Sequence, residues 1–229
     1  MDSKRQYIVE TARKSQHKNG FRIENVKILI SSNPSFDVQD FFKNAAKKIP
    51  QELFNAADTI YVGKFIKPSS SLSAKTFNDV IFLNNSEDIK EMFSSLLHEL
   101  SHCYQQKFHE EVFGDALLEK EFLNKRKKLF HKLTSHGIPT LPYPYFEATS
   151  YDKDFDSYLY NQIGYDDLRY IISGIFPTCY SVTSLGEYFS VGTECFLTGK
   201  ENMLIDCPIL QKKVNKLWEI NLEEILKAG

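Results

Sequence analysis

The stretch SSLLHELSHCYQQ, residues 94 to 106, constrains this chain more than any other, because it combines a helical apolar pattern with two histidines four residues apart. An α-helix turns about 100° per residue, so His98 and His102 lie one turn apart on one face and can reach a single ion. Glu99 lies at the rim of that face. This is the H-E-x-x-H spacing, in which the histidines hold Zn²⁺ and the glutamate takes a proton from water that the metal activates.

Apolar residues around the histidines recur at helical spacing, which predicts a helix held in a core along one stripe. Ser86 and the two acidic residues after it predict the N-cap and first turn, about three turns before His98. Short matches to this motif also arise by chance, and two histidines can form an ordinary polar edge. The cap and the stripe favour a metal site. The stripe comprises Met92, Phe93, Leu96, Leu97, Leu100 and Tyr104.

The length and composition favour one globular domain spanning residues 1–229, with an ordinary balance of 42% hydrophobic and 25% charged residues. The 28 basic and 30 acidic residues leave a net charge of −2. We therefore expect no nucleic-acid partner and no membrane partner. The sequence does not indicate the oligomeric state.

No segment of the sequence predicts export or membrane insertion. The N-terminus lacks the apolar core of about 7–15 residues that secretory signals carry, and no apolar run approaches the ~20 residues that span a bilayer. The cysteines lack C-x-x-C spacing and adjoin apolar residues, which indicates reduced, packed thiols. We expect a cytoplasmic protein, while secretion by a signal-independent route stays open. The cysteines are Cys103, Cys179, Cys195 and Cys207.

The order of predicted elements indicates an α+β fold, with a small N-terminal mixed sheet, then the histidine helix, then a mostly helical C-terminal part. Alternation predicts strands over 21–32, 59–65 and 79–85. Helical patterns and breakers predict helices over 35–50, 111–135, 165–174, 185–198 and 208–227, the first capped by Ser35.

Two surface segments have open alternatives. The basic run NKRKK, residues 124 to 128, could be a targeting or phosphate-binding patch, but its apolar flanks favour the exposed face of a helix. The loop over 137–158, rich in proline and tyrosine, could line a cleft as a wall or lid, or pack as an ordinary surface loop.

Two histidines leave a catalytic zinc site incomplete, because such sites usually have three protein ligands and one open position. The spacing H-E-x-x-H-x-x-G-x-x-H would supply a third histidine. Here Gln105 and Phe108 occupy the glycine and histidine positions, and His109 misses by one residue. That source of the third ligand therefore fails.

A glutamate from a later helix is the other possible source. Glu119 and Glu121 follow at a distance used by one metallopeptidase branch, but no aspartate follows either one four residues later. The surrounding EKEFLNKRKK is typical of a solvated helix face. A better candidate lies in the segment 179–208, within the run GEYFSVGTECF.

At this run the chain resembles the gluzincin peptidases, those related to the Mlc titration factor A peptidase and to the catalytic domain of anthrax lethal factor. In those families a helix beginning E-[FY]-F-A supplies the third ligand through its first glutamate, and a catalytic tyrosine lies seven residues earlier. The resemblance implies that Glu187 is the third zinc ligand and that Tyr180, in TCYSV, is catalytic. It also implies a zincin-like fold.

Several features of this segment leave alternatives open. Many relatives carry an acidic residue four positions after the third ligand, and it can hydrogen-bond a ligating histidine. This chain has Val191 at that position, so the partner of the histidine must come from elsewhere, and Glu194 is the candidate. SLGE also matches a capping box, in which Glu187 reaches back to the Ser184 amide. Tyr180 could equally be a core tyrosine.

The motif and the resemblance together predict a zinc-dependent peptidase, an endopeptidase or an aminopeptidase-like hydrolase. One Zn²⁺ per chain would bind His98, His102 and Glu187. Glu99 would act as general base, and Tyr180 would donate a hydrogen bond to the oxyanion.

The expected substrate is a peptide or protein, paired in extended form with the strand over 79–85 or its neighbour. Two alternatives come from other classes of protein: a zinc-binding interaction or regulatory module without turnover, and a proteolytic effector that acts on a host protein.

Overall fold

The chain divides into two units, Met1–Lys107 and Phe108–Gly229. A computed structural model describes residues 8, 10, 19–32, 34–65, 74–86 and 88–218. Strands lie in the first unit and the second is helical, which confirms the α+β class. The assignment of the whole chain to one domain stays a prediction.

The first unit carries a mixed five-stranded sheet of order β1-β2-β3-β5-β4. Strands β2, β3 and β5 are parallel, and the two outer strands pair antiparallel with their neighbours. Strand β5 is paired on both sides, by β3 and β4, and among the described residues β4 is the outer strand on this side of the sheet. The strands are β1 (Asn19–Ile23), β2 (Val26–Ile30), β3 (Thr59–Gly63), β4 (Ala74–Phe77) and β5 (Val80–Asn84).

The segment 21–32, predicted as one strand, is a hairpin, so that prediction was wrong. Glu24 and Asn25 form the turn, and Glu24 has a φ of 51° in the left-handed region. Glutamate enters that region uncommonly, so Asn25 was the one residue type in the turn that favoured it. The predicted strands over 59–65 and 79–85 are confirmed as β3 and β5.

Three helices with defined bounds lie in the described part of the first unit, where Ile8 and Glu10 are also helical. Aspartates rather than the predicted serines cap two of the three. Asp37, not Ser35, accepts a hydrogen bond from the Asp40 amide. Asp88, not Ser86, accepts from the amides at the start of the histidine helix. A carboxylate cap also places negative charge at the positive end of the helix dipole. The helices are α1 (Val38–Lys48), α2 (Gln51–Phe54) and α3 (Ile89–Lys107).

Helices make up most of the second unit. The helix predicted over 111–135 is broken, because Ala116 adopts a φ of 55° between two helices. The predicted loop over 137–158 contains two short helices. The helices are α4 (His109–Phe113), α5 (Leu117–Ser135), α6 (Pro144–Glu147), α7 (Lys153–Ser157), a π-helix (Tyr158–Ile163), α8 (Tyr165–Ile171), a 3₁₀ turn (Tyr180–Val182), α9 (Leu185–Leu197), a 3₁₀ turn (Glu201–Leu204) and α10 (Pro208–Trp218). The end of the helix predicted over 208–227 lies outside the described residues.

The basic run at 124–128 is not the exposed face that its flanks predicted. Lys125 and Arg126 are only 6% and 1% exposed, whereas Lys127 and Lys128 are exposed. The Lys125 ammonium donates to two backbone carbonyl oxygens, each at 2.6 Å. The run therefore belongs to the core of the second unit at two of its positions.

Arg126 is the most deeply embedded charge in the described chain. Its guanidinium lies 4.0 Å from the centre of the Phe155 ring. Burial lowers the pKa of Arg126 to about 9, against the opposing attraction of Asp152, so the side chain stays charged at neutral pH. It donates to the backbone carbonyl oxygens of Tyr145, Ala148, Val182 and Thr183.

All four cysteines are buried free thiols, in agreement with the prediction. Burial is the main cause that raises the pKa of each thiol, to about 12 for Cys103 and Cys195. In the part of the chain that the structure describes, no helix has the length and apolar character to cross a membrane.

Arg126→Met should lower the free energy of unfolding by at least about 3 kcal/mol, because several buried carbonyls would lose their donor at about 1–3 kcal/mol each. Lys127→Met, at the exposed neighbouring position, should change it by less than about 0.5 kcal/mol. Urea denaturation of the two variants measures the difference. Equal midpoints would contradict the role assigned to the buried guanidinium.

Candidate metal centre

Helix α3 presents its two histidines together. The Nε2 atoms of His98 and His102 are 3.2 Å apart, and the ring planes are inclined by 75°. Two nitrogens bound to one tetrahedral zinc at about 2.0–2.1 Å would lie about 3.3 Å apart, so this spacing suits shared coordination. The apolar stripe of the helix is buried or half-buried, as predicted. The imidazole rings of His98 and His102 are half-buried.

The other ring nitrogen of His102 also has a partner. Its Nδ1 atom lies 2.6 Å from Nε2 of Gln105, a side chain that is only 7% exposed. The sequence interpretation weighed Gln105 only at the glycine position of a longer motif. The i, i+3 spacing on one helix face could have identified the contact.

Glu99 is buried and is bound by a residue of the sheet. Its Oε2 atom accepts a hydrogen bond from the Thr76 hydroxyl at 2.6 Å. Thr76 lies on the outer strand β4, which the sequence did not predict because the strand has only four residues. The orientation of the Glu99 carboxylate is therefore linked to the position of β4.

Glu187 lies in the first turn of α9. Ser184 caps this helix with its hydroxyl, which accepts a hydrogen bond from the Glu187 amide at 3.1 Å. The Glu187 carboxylate accepts a hydrogen bond from the Tyr180 hydroxyl at 3.2 Å. The Ser184 hydroxyl therefore caps the helix while the Glu187 carboxylate binds another group. The cap at Ser184 and a ligand role for the Glu187 carboxylate are compatible.

The segment from Tyr180 to Glu187 is positioned by buried contacts in the second unit. Arg126 binds the carbonyls of Val182 and Thr183, and the Leu185 amide donates to the Thr149 carbonyl at 2.8 Å. These bonds fix the backbone before α9.

His98, His102 and Glu187 each offer one ligand atom, and these atoms all lie within 4.8 Å of one another. Two imidazoles and one carboxylate are a donor set that zinc takes in catalytic sites. Imidazole nitrogen also suits other divalent transition-metal ions. The three residues therefore fit a metal ion.

Glu121, one of the two glutamates rejected from the sequence, binds other groups. Glu121 accepts hydrogen bonds from the Tyr188 hydroxyl and from the amides of Ile209 and Leu210, so it caps α10. The prediction of a solvated face was therefore wrong at this residue. The suggested role of Glu194 as a histidine partner stays a prediction.

Comparisons with protein-family models, with curated proteins and with solved structures found no match to this chain. The interpretation of the site therefore depends on its residues: a metal-binding cluster with histidines at i and i+4.

Proposed function

We propose that the chain is a zinc-dependent peptidase of the gluzincin type, with a zincin-like fold and one Zn²⁺ per chain. The observation that carries the proposal is the clustering of the His98, His102 and Glu187 ligand atoms. Glu99 follows the first of these ligands directly, which is the position of the general base in the H-E-x-x-H arrangement.

Zinc held by these residues would supply a Lewis acid that polarises the scissile carbonyl and lowers the pKa of water. The Glu99 carboxylate accepts the proton of the attacking water and passes it to the leaving amine. The hydrogen bond from Thr76 restricts the rotation of this carboxylate. One oxygen of the Glu99 carboxylate therefore stays hydrogen-bonded to Thr76 of β4 while the carboxylate accepts and releases the proton.

Tyr180 donates a hydrogen bond from its hydroxyl to the oxyanion that forms on the substrate carbonyl. The hydrogen bond to Glu187 supports this role because it places the hydroxyl beside a proposed ligand. A neutral phenol stabilises developing negative charge, whereas a carboxylate at this position would repel it.

The proposed substrate is an extended peptide segment that adds to the outer strand β4. Backbone pairing to a sheet edge supplies affinity, and side-chain pockets supply selectivity. Thr76 belongs to this strand and binds Glu99, so substrate pairing and orientation of the base involve the same strand.

Glu99→Gln should keep one zinc per chain and lower the rate of peptide hydrolysis by about 10²–10⁴-fold, because the amide cannot accept the proton. Cleavage profiling on a peptide library, with zinc content measured on the same samples, provides the test. Glu91→Gln changes an exposed glutamate of the same helix and should leave the rate unaltered.

A wild-type rate in Glu99→Gln would contradict the proposed mechanism. A wild-type protein that binds zinc and cleaves no library peptide would instead favour a binding module without turnover.

Tyr180→Phe should lower kcat by about 10²–10³-fold, with KM and zinc content almost unchanged, because the hydroxyl acts on the transition state. Steady-state kinetics at saturating zinc measure the effect, and Tyr170→Phe at an 80% exposed position is the control. If the hydroxyl served only to hold Glu187, the variant would lose zinc affinity while its kcat at saturating zinc stayed normal.

A further inference from the structure

The contact between Gln105 and His102 bears on how a ligating histidine is held. A neutral imidazole carries one N–H, and the nitrogen that binds a metal must present its lone pair. The Nε2 atom of His102 faces Nε2 of His98, so it is the nitrogen available for a shared ion. Metal binding therefore requires the proton of His102 on Nδ1.

A proton on Nδ1 needs an acceptor. The atom that lies 2.6 Å from Nδ1 is the amide nitrogen of Gln105, which is a donor. The amide nitrogen and oxygen of glutamine exchange places when the group turns by about 180°, and the hydrogen-bond network decides between the two orientations. With a metal on Nε2, the Gln105 amide would have to turn so that its oxygen faces Nδ1–H. Because Gln105 is 7% exposed, water competes weakly for this position.

We propose that Gln105 is a positioning residue of the metal centre: its amide oxygen accepts the Nδ1–H of His102 and thereby directs the Nε2 lone pair toward the ion. The inference rests on the proposed zinc site. It assigns the partner of His102 to the same helix, one turn beyond that ligand.

The test compares the zinc affinity of wild type, Gln105→Leu, Gln105→Glu and Gln106→Leu by competition with a chromogenic chelator. Gln105→Leu removes the acceptor at similar volume and should weaken zinc binding about 10–100-fold. Gln105→Glu provides a carboxylate acceptor and should bind within a few-fold of wild type or more tightly. Gln106 is the exposed neighbour, and its leucine variant should match wild type.

Melting temperatures of the metal-free and zinc-loaded proteins accompany the affinities. A positioning role predicts that Gln105→Leu reduces the stabilisation gained on adding zinc, while Gln105→Glu retains it. Should Gln105→Leu fail to fold, the Gln105→Glu variant alone carries the comparison with wild type, and weakened zinc binding in it would overturn the inference.

The inference is overturned if wild type binds one zinc and Gln105→Leu binds it equally well. It is also overturned if both substitutions weaken binding alike, because Gln105 would then act through packing. Absence of zinc binding in wild type would remove the proposed metal site as well, so the wild-type arm separates the two failures.

Discussion

The second unit is organised around the buried guanidinium of Arg126. Transfer of a charge out of water is costly, and only a full set of acceptors offsets that cost. The backbone carbonyls that accept from Arg126 belong both to the segment around α6 and to the turn before α9. Those backbone positions are therefore tightly specified, and two of them, Val182 and Thr183, lie between Tyr180 and Glu187 in the chain.

The first unit supplies the two histidines of the donor set and holds them in a different way. Helix α3 is held by its apolar stripe, and the helical repeat alone sets the spacing of His98 and His102. Polar contacts then fix the side chains: Gln105 adjoins one histidine, and Thr76 anchors Glu99. Side chains held by neighbours in this way have fewer rotamers available, so a metal ligand or a general base loses less conformational entropy when the metal or substrate binds.

Much of this arrangement could be predicted from the sequence, because the relevant patterns are local. The histidine helix, its buried stripe and the cap of α9 each depend on residues within a few turns of one another. Periodicity could not show that Arg126 is buried, because its acceptors lie up to 57 residues away. Periodicity also could not show the Glu24 turn or the short strand β4. Because β4 was not predicted, no sequence pattern indicated the contact of Thr76 with Glu99.

The central claim is that His98, His102 and Glu187 together bind one metal ion. X-ray absorption at the zinc edge of the zinc-loaded protein tests it most directly. The account predicts a first shell of nitrogen and oxygen alone at about 2.0–2.1 Å, with two imidazoles, and clearly weaker zinc binding by Glu187→Ala, where water takes the place of the carboxylate. A sulfur neighbour at about 2.3 Å, as from Cys103 beside His102, or zinc binding by Glu187→Ala as tight as that of wild type, would contradict it.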